Sequence, residues 1–371
     1  MGGGVSFPVV PLSRDRVVLV TGGNTGLGYE AAKHIAMMGA SVVIACRSQT
    51  RATQAIQRMN EEFRASKEAG TLPEGISQTG SLAVDFMELD LASLKSTMAF
   101  IEAFKASGRK LHVLLCNAGV AMLPRGFTED GHETMFQVNY LGHFLIIAHL
   151  VPTMKTSGSD CRIIFTSSQA HMYSEREFRE SKVKAEDPAV YGRMLNYGTS
   201  KLFQVPTYVI TDYVVWVCVR LSKKHITSVR FELNFIAYMK CFATTQIHHM
   251  FCLSRRLKGT DISVTCLHPG IVRTEVTRSF TDSTALAAMF GTFRMLGFTK
   301  TPLQGATTLI DAAVNTVWRG VSDVYLMDCK PSSTHSCARN QEYQEKVWKY
   351  SLECLKNYLP EDVVDSLEGR S

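Results

Sequence analysis

Tyr197-Gly198-Thr199-Ser200-Lys201 sets a phenol and an ammonium four residues apart, which on a helix puts both on one face. A phenol with an ordinary pKa of about 10 moves protons near neutrality only when a cation stabilises its phenolate, and Lys201 is such a cation. The same spacing occurs on plain amphipathic helix surfaces, so the pair gains meaning from its company. Far upstream, Thr21-Gly22-Gly23-Asn24-Thr25-Gly26-Leu27-Gly28 follows the β-branched run Arg16–Val20 and precedes a helical pattern over Tyr29–Met38 that stops at Gly39. Gly22, Gly26 and Gly28 let bare backbone N–H groups approach pyrophosphate oxygens, while the following helix turns its positive end to the anion. The expected chemistry is proton movement at a hydroxyl or carbonyl beside a dinucleotide.

The second strand ends Ala45-Cys46-Arg47-Ser48. A dinucleotide-binding turn of the NAD-preferring kind carries an acid about 20 residues on, for the ribose 2′-hydroxyl, whereas an Arg there suits a 2′-phosphate. No acid stands at that place, and a guanidinium binds phosphate through two parallel hydrogen bonds, so NADP(H) is expected ahead of NAD(H). The alternative for Arg47 is an ordinary surface residue.

The elements that must position these residues alternate along the chain. Apolar strand-like runs at Ser41–Cys46, Ser81–Glu88, Leu111–Cys116, Arg162–Thr166 and Ile262–Leu267 are separated by helical patterns at Thr50–Ser66, Leu94–Ala106, Glu133–Thr153 and a stretch through Tyr197. That rhythm predicts an α/β fold: a Rossmann-type doubly wound parallel sheet with helices on both faces, in a single domain whose ligands sit beyond the carboxyl ends of the strands. The expected organisation is a flexible leader over 1–13, a dinucleotide-binding domain over 14–339, and a terminal helix with an acidic end over 340–371.

Composition narrows the classes. With 45% hydrophobic and 20% charged residues in 371, the chain has material for a sizeable core. A net charge of +6 spread along the sequence describes a solvated surface, and no nucleic-acid partner is expected. Ten cysteines without a C-x-x-C pair fit reduced thiols, and His143 and His248-His249 lack partners at metal-ligand spacing, so no metal is expected. No stretch of about 18 uninterrupted apolar residues offers a spanning helix, which points to a cytoplasmic body or one peripherally associated with a membrane on its cytosolic side. Met1-Gly2-Gly3-Gly4-Val5-Ser6 matches the N-myristoylation pattern and equally reads as a Gly-rich leader. The apolar and aromatic stretch Ala285–Phe298 reads either as a substrate lid or membrane contact, or as packing of a short helix.

Further ordered motifs join the glycine turn and the Tyr/Lys pair. They are Asp90-Leu91, Asn117-Ala118-Gly119, Val138-Asn139-Tyr140-Leu141-Gly142-His143-Phe144, Ser167-Ser168, and His268-Pro269-Gly270-Ile271-Val272-Arg273-Thr274. In these the chain resembles the short-chain dehydrogenase/reductase family, in its retinol-dehydrogenase and WW-domain-oxidoreductase-like branch, from about Arg14 to Tyr350 outside one inserted block. The resemblance implies a catalytic tetrad. Ser168 and Tyr197 would hydrogen-bond the substrate oxygen, Tyr197 would move its proton, Lys201 would lower the phenol pKa, and Asn139 would hold a relay water. It implies cofactor contacts at Thr21, Gly22, Asn24, Gly26, Leu27, Gly28, Arg47, Asp90, Leu91, Asn117, Ala118, Gly119, Tyr197, Lys201, Pro269, Gly270 and Thr274. For Asn117 a purely structural role bracing the central strand stands beside the cofactor role, and for Pro269–Thr274 so does a plain strand-to-loop turn.

The inserted block is Val205–Gln246. Its removal joins Gln204 to Ile247 and restores one continuous helix, Tyr197–Leu257, of the length the resemblance implies. Val and Gln codons can carry the GT and AG of intron boundaries, and the block reads as retained intron sequence or an unusual splice form. Interrupting a helix just beyond a catalytic pair threatens its alignment, where about 1 Å of misplacement costs about a hundredfold in rate. The resemblance thus implies an NADP(H)-dependent oxidoreductase that interconverts an alcohol and a carbonyl on a hydrophobic, retinoid-, steroid- or lipid-like substrate, as a homodimer where the insertion permits one. The rival expectation is a cofactor-binding pseudoenzyme or interaction protein inactivated by the block.

Overall fold

A computed structural model describes residues 7–74, 76, 80–120, 123, 125–168, 180, 184, 245–272 and 299–370. Tyr197, Lys201, Thr274, the Gly2 leader and the Ala285–Phe298 stretch lie outside the described residues, as does all of the inserted block except Thr245 and Gln246. Among the described residues, eight strands form one sheet: β1 Val17–Thr21, β2 Ser41–Cys46, β3 Val84–Glu88, β4 Val113–Cys116, β5 Cys161–Thr166, β6 Ile262–His268, β7 Val324–Met327 and β8 Lys330–Ser332. Their spatial order is β3-β2-β1-β4-β5-β6-β7-β8, parallel throughout except for the antiparallel edge strand β8. The expected doubly wound parallel sheet is what forms. Strands β1 and β6 are buried along their whole length; β1 reads as a nearly unbroken apolar run, while β6 also buries Ser263, Thr265 and His268.

The helices divide between two faces. On one, α1 (Gly26–Met37), α2 (Gln49–Glu68) and α6 (Pro302–Val314) bury Ala32, Ile35, Met59, Phe63, Leu309 and Ile310 against the sheet. On the other lie α3 (Leu94–Ala106), α4 (Thr134–Lys155) and α5 (245–256), with Phe104, Phe144, Ile147 and Met250 in the core. Because the chain changes face between β1 and β4, the carboxyl ends of those two strands open the crevice where such sheets bind ligands. Helix α4 is long and apolar enough to cross a membrane, yet 94% of its most apolar window is buried inside the protein, as befits a core helix. It contains a π-turn over Gln137–Leu141, where Gly142 N–H bonds the Gln137 carbonyl five residues back.

The tail differs from the single helix and acidic end expected of it. Helix α7 (Gln341–Cys354) is followed by α8 (Glu361–Glu368), which starts after Pro360 with Glu361 and Asp362 in its first turn, where the helix dipole favours acids. Val363 and Leu367 bury one edge of α8, so the acidic end is half of an amphipathic helix. The tail covers α4 and α5: Trp348 packs on Phe144 and His249, the Tyr140 hydroxyl meets Ser351 at 2.8 Å, and Glu345 pairs with Arg255 and Arg256 at 2.9 and 2.7 Å.

Candidate active site

At the end of β1 the backbone turns through Gly22, with φ of +69°, and Gly26, with φ of +58°. Gly28 cannot be anything larger: a Cβ there would stand 2.3 Å from the Gly22 carbonyl oxygen and 2.5 Å from Asn117 Nδ2. Thr25, the residue ahead of α1, is extended and makes no side-chain cap, so the first N–H groups of the helix face outward without a competing acceptor from that residue. Asn24 and Leu27 are half-buried beside them, and Leu27 lies against Gly305 of α6. This close-approach cradle at a helix N-terminus fits a dinucleotide pyrophosphate.

Asn117, Ala118 and Gly119 form the loop after β4, and they brace the turn. Asn117 Nδ2 donates to the Thr21 carbonyl at 3.0 Å, and the backbone N–H groups of Asn117 and Ala118 donate to Thr21 Oγ1 at 2.9 and 3.0 Å. Thr21 is fully buried, with its hydroxyl engaged in this bracing. Of the two roles open for Asn117, the geometry displays the bracing one. Gly119 sits beside the Asn139 side chain, which clamps the same loop by accepting from Val120 N–H at 2.8 Å and donating to the Val120 carbonyl at 2.9 Å. The Asn139 carbonyl, inside the π-turn, receives Gln246 Nε2 at 3.2 Å and faces His143 Nδ1 at 3.3 Å.

The other sequence-derived residues fall around this centre. Ser167 is buried and Ser168 half-buried just past β5, with Ser167 N–H bonded to the Leu267 carbonyl of β6 at 2.7 Å. Pro269 is buried and Gly270 has φ of +91°, with the methylenes of Lys300 laid against it and the Lys300 ammonium paired with Asp328. At the end of β2, Arg47 is exposed with no partner for its guanidinium among the described residues, directly before Ser48, the N-cap of α2. Asp90 closes a turn by accepting from Ala92 N–H at 2.9 Å, while Leu91 is core, packed under Gly142. Among the described residues no three His, Cys, Asp or Glu side chains gather as metal ligands.

Two residues escaped the sequence reading. Gln137, fully buried, donates to Asp130 at 2.6 Å and accepts from Thr128 at 2.6 Å, tying the loop before α4 to the π-turn. His143, weighed only as a metal ligand, reaches Thr21 Oγ1 at 2.9 Å, and burial holds its imidazole down at about 4, hence neutral. The available signal was the motif Val138–Phe144, which contains His143 and directly follows Gln137.

The comparisons agree with this geometry. A short chain dehydrogenase family model matches residues 16–179, ending ahead of Tyr197. Human retinol dehydrogenase 14 is 32% identical over 340 residues, covering 92% of this chain and 86% of that protein. The chain belongs to the short-chain dehydrogenase family. Human polyprenol dehydrogenase is likewise 32% identical, over 95% of this chain and 88% of its own length. The solved structure of a short-chain type dehydrogenase/reductase from Mycobacterium ulcerans superposes with a TM-score of 0.52 at 16% identity, over 89% of this chain and 98% of that one, and shows the shared fold. As a short-chain dehydrogenase the chain is an oxidoreductase of the retinol-dehydrogenase-like branch, in a family that uses NAD(P)(H).

Proposed function

We propose that this short-chain dehydrogenase interconverts an alcohol and a carbonyl on a hydrophobic substrate of retinoid, steroid or other lipid type, with NADP(H) as the redox partner. The observation that carries the reading is the cradle itself: Gly22, Gly26 and Gly28 braced by Asn117 at the mouth of the switch-point crevice, with the Arg47 guanidinium, unpartnered among the described residues, on its adenine side. When bound, the nicotinamide supplies or takes the hydride. In reduction, Tyr197 gives its proton to the substrate oxygen while Ser168 donates a hydrogen bond to that oxygen. Lys201 stabilises the phenolate left on Tyr197, and Asn139 fixes the relay that returns the proton. The names of the relatives, a retinol and a polyprenol dehydrogenase, support the choice of substrate class. Residues 14–339 form the catalytic domain in this reading, in the cytoplasm or at the cytosolic side of a membrane.

A second reading, a cofactor-binding protein without turnover, is favoured by one observation. The bond to the Asn139 carbonyl is made by Gln246, the last residue of the inserted block. In the chain without the block, Gln204 would precede Ile247, with Tyr197 and Lys201 seven and three residues before it. Counting the same steps back from Gln246 gives Met239 and Ala243, neither able to do their chemistry.

The experiment is NADPH oxidation with a panel of hydrophobic aldehydes and ketones, on the full chain, on Tyr197→Phe and on a chain lacking 205–246. Turnover by the full chain that vanishes in Tyr197→Phe is expected under the first reading. Turnover only without the block makes the full chain the inactive form, and no turnover in either removes the first reading.

A further inference from the structure

His143 sits between the two halves of the site, 1% exposed on α4, with one ring nitrogen toward each. Nδ1 lies 3.3 Å from the Asn139 carbonyl, which can only accept, so Nδ1 carries the proton. Nε2 is then an acceptor, 2.9 Å from Thr21 Oγ1. The Thr21 oxygen already receives two backbone N–H groups, from Asn117 and Ala118, and its own proton has two destinations: Nε2 at 2.9 Å and the Leu115 carbonyl at 3.2 Å. The shorter and better acceptor is the imidazole. The result is a directed chain from the glycine-turn loop through Thr21 and His143 to the Asn139 carbonyl, where Gln246 of α5 joins it.

We infer that His143 is a positioning residue, a neutral imidazole that holds the glycine turn at the end of β1 and the Asn139 carbonyl of the π-turn in one fixed relation. The inference rests on the cofactor reading above, because the turn matters to ligand only if a dinucleotide lies on it. Only a neutral imidazole can accept at one nitrogen and donate at the other, and full burial keeps this ring in that state. An apolar residue of the same size would fill the space without fixing the Thr21 hydroxyl, which could then turn to Leu115 and loosen the loop that carries Asn117. Gln137 and Asn139 clamp neighbouring loops, but neither reaches β1.

The two ends of the ring can be tested separately in the full chain. In His143→Gln the amide oxygen stands where Nε2 was and still accepts from Thr21. In His143→Asn the amide nitrogen stands where Nδ1–H was and serves the Asn139 carbonyl alone. The probe is NADPH, titrated by its fluorescence, with thermal unfolding followed in parallel. His143→Gln is expected to bind within about twofold of wild type, and His143→Asn to weaken by about five- to tenfold, the size of one lost neutral hydrogen bond. A purely structural histidine would lower the melting temperature in both variants while leaving NADPH affinity per folded molecule unchanged, and that result overturns the inference. So does equal weakening by Gln and Asn. A wild-type chain that binds no NADPH overturns the cofactor reading and the inference with it, whereas a binding wild type with indifferent variants removes the His143 link alone.

Discussion

His249, one turn beyond Gln246 on α5, offers a perturbation whose sign and size follow from its surroundings. Its ring is 1% exposed, stacked on Phe144 at 4.7 Å and edged by Phe165, Tyr140 and Trp348 at 5.1, 5.4 and 5.8 Å. Neither ring nitrogen has a hydrogen-bond partner among the described residues. Burial, with smaller contributions from His143 and Arg256, pushes the imidazole down to about 3. An unfolded histidine titrates near 6.5, so as pH falls the unfolded chain binds this proton first and the folded chain last. The stability associated with His249 is therefore intact above about 6.5 and drains away between there and about 3, by roughly 2 kcal/mol at pH 5. His248 and His143, each held at about 4 by burial, add slopes of the same sign over 6.5 to 4. His249→Phe keeps an aromatic ring in the stack, removes two unsatisfied polar atoms worth about 1–3 kcal/mol each, and adds a packing strain of about 1–3 kcal/mol. The gain exceeds the strain by about 1–3 kcal/mol at pH 8, and the pH dependence on top of that constant difference is the diagnostic. Urea unfolding read by tryptophan fluorescence at pH 8, 6.5 and 5 should show the variant gaining about 2 kcal/mol on wild type across that range. Parallel pH profiles for the two proteins would refute the reasoning, because they would mean that His249 is already charged or solvated in the folded chain.

Gly28→Ala drives a methyl into the Gly22 carbonyl at 2.3 Å, and NADPH titration should show affinity falling by more than about tenfold while the apolar core is left intact. Arg47→Ala should weaken NADPH by about tenfold or more and leave NADH unchanged, since only the 2′-phosphate distinguishes them; equal losses for both, measured side by side, would count against the assignment. Trp348→Ala removes the ring that packs on Phe144 and His249 under Arg256, the latter 4.1 Å from its centroid, and should cost about 3–5 kcal/mol in urea unfolding.

How much was legible in the sequence followed from how local each signal is. Strands β1, β2 and β4 are apolar on both faces, and β5 and β6 are rich in apolar and β-branched residues, so composition within a few residues reveals them. Strands β7 and β8, four and three residues long, carry no period to read, and pairing with β6 is what makes β7 a strand. Helix α8 has two buried residues four apart, too few to separate from a polar tail until α4 and α5 supply the surface it covers. The glycine turn was visible because its demands are steric and lie within seven residues. The roles of Thr21, His143 and Leu91 were not, because motif position does not say which side of a residue faces ligand: Thr21 faces Asn117, 96 residues away, and Leu91 faces Gly142.

The same distinction bears on the inserted block. Whatever reaches α5 from upstream must present a donor to the Asn139 carbonyl, and the residue that would precede Ile247 without the block, Gln204, is of the same type as the one that precedes it here, Gln246. In the full chain Gln246 meets that requirement and Trp348 and Glu345 close over α5, and Gln204 offers the same amide for the chain without the block. In the proposed mechanism the catalytic requirement lies seven and three residues back from that glutamine, where the chain without the block carries Tyr197 and Lys201. On that proposal folding and catalysis are separable in this family member: a chain can satisfy the contacts from Gln246 onward and still differ in turnover by what stands at those two positions.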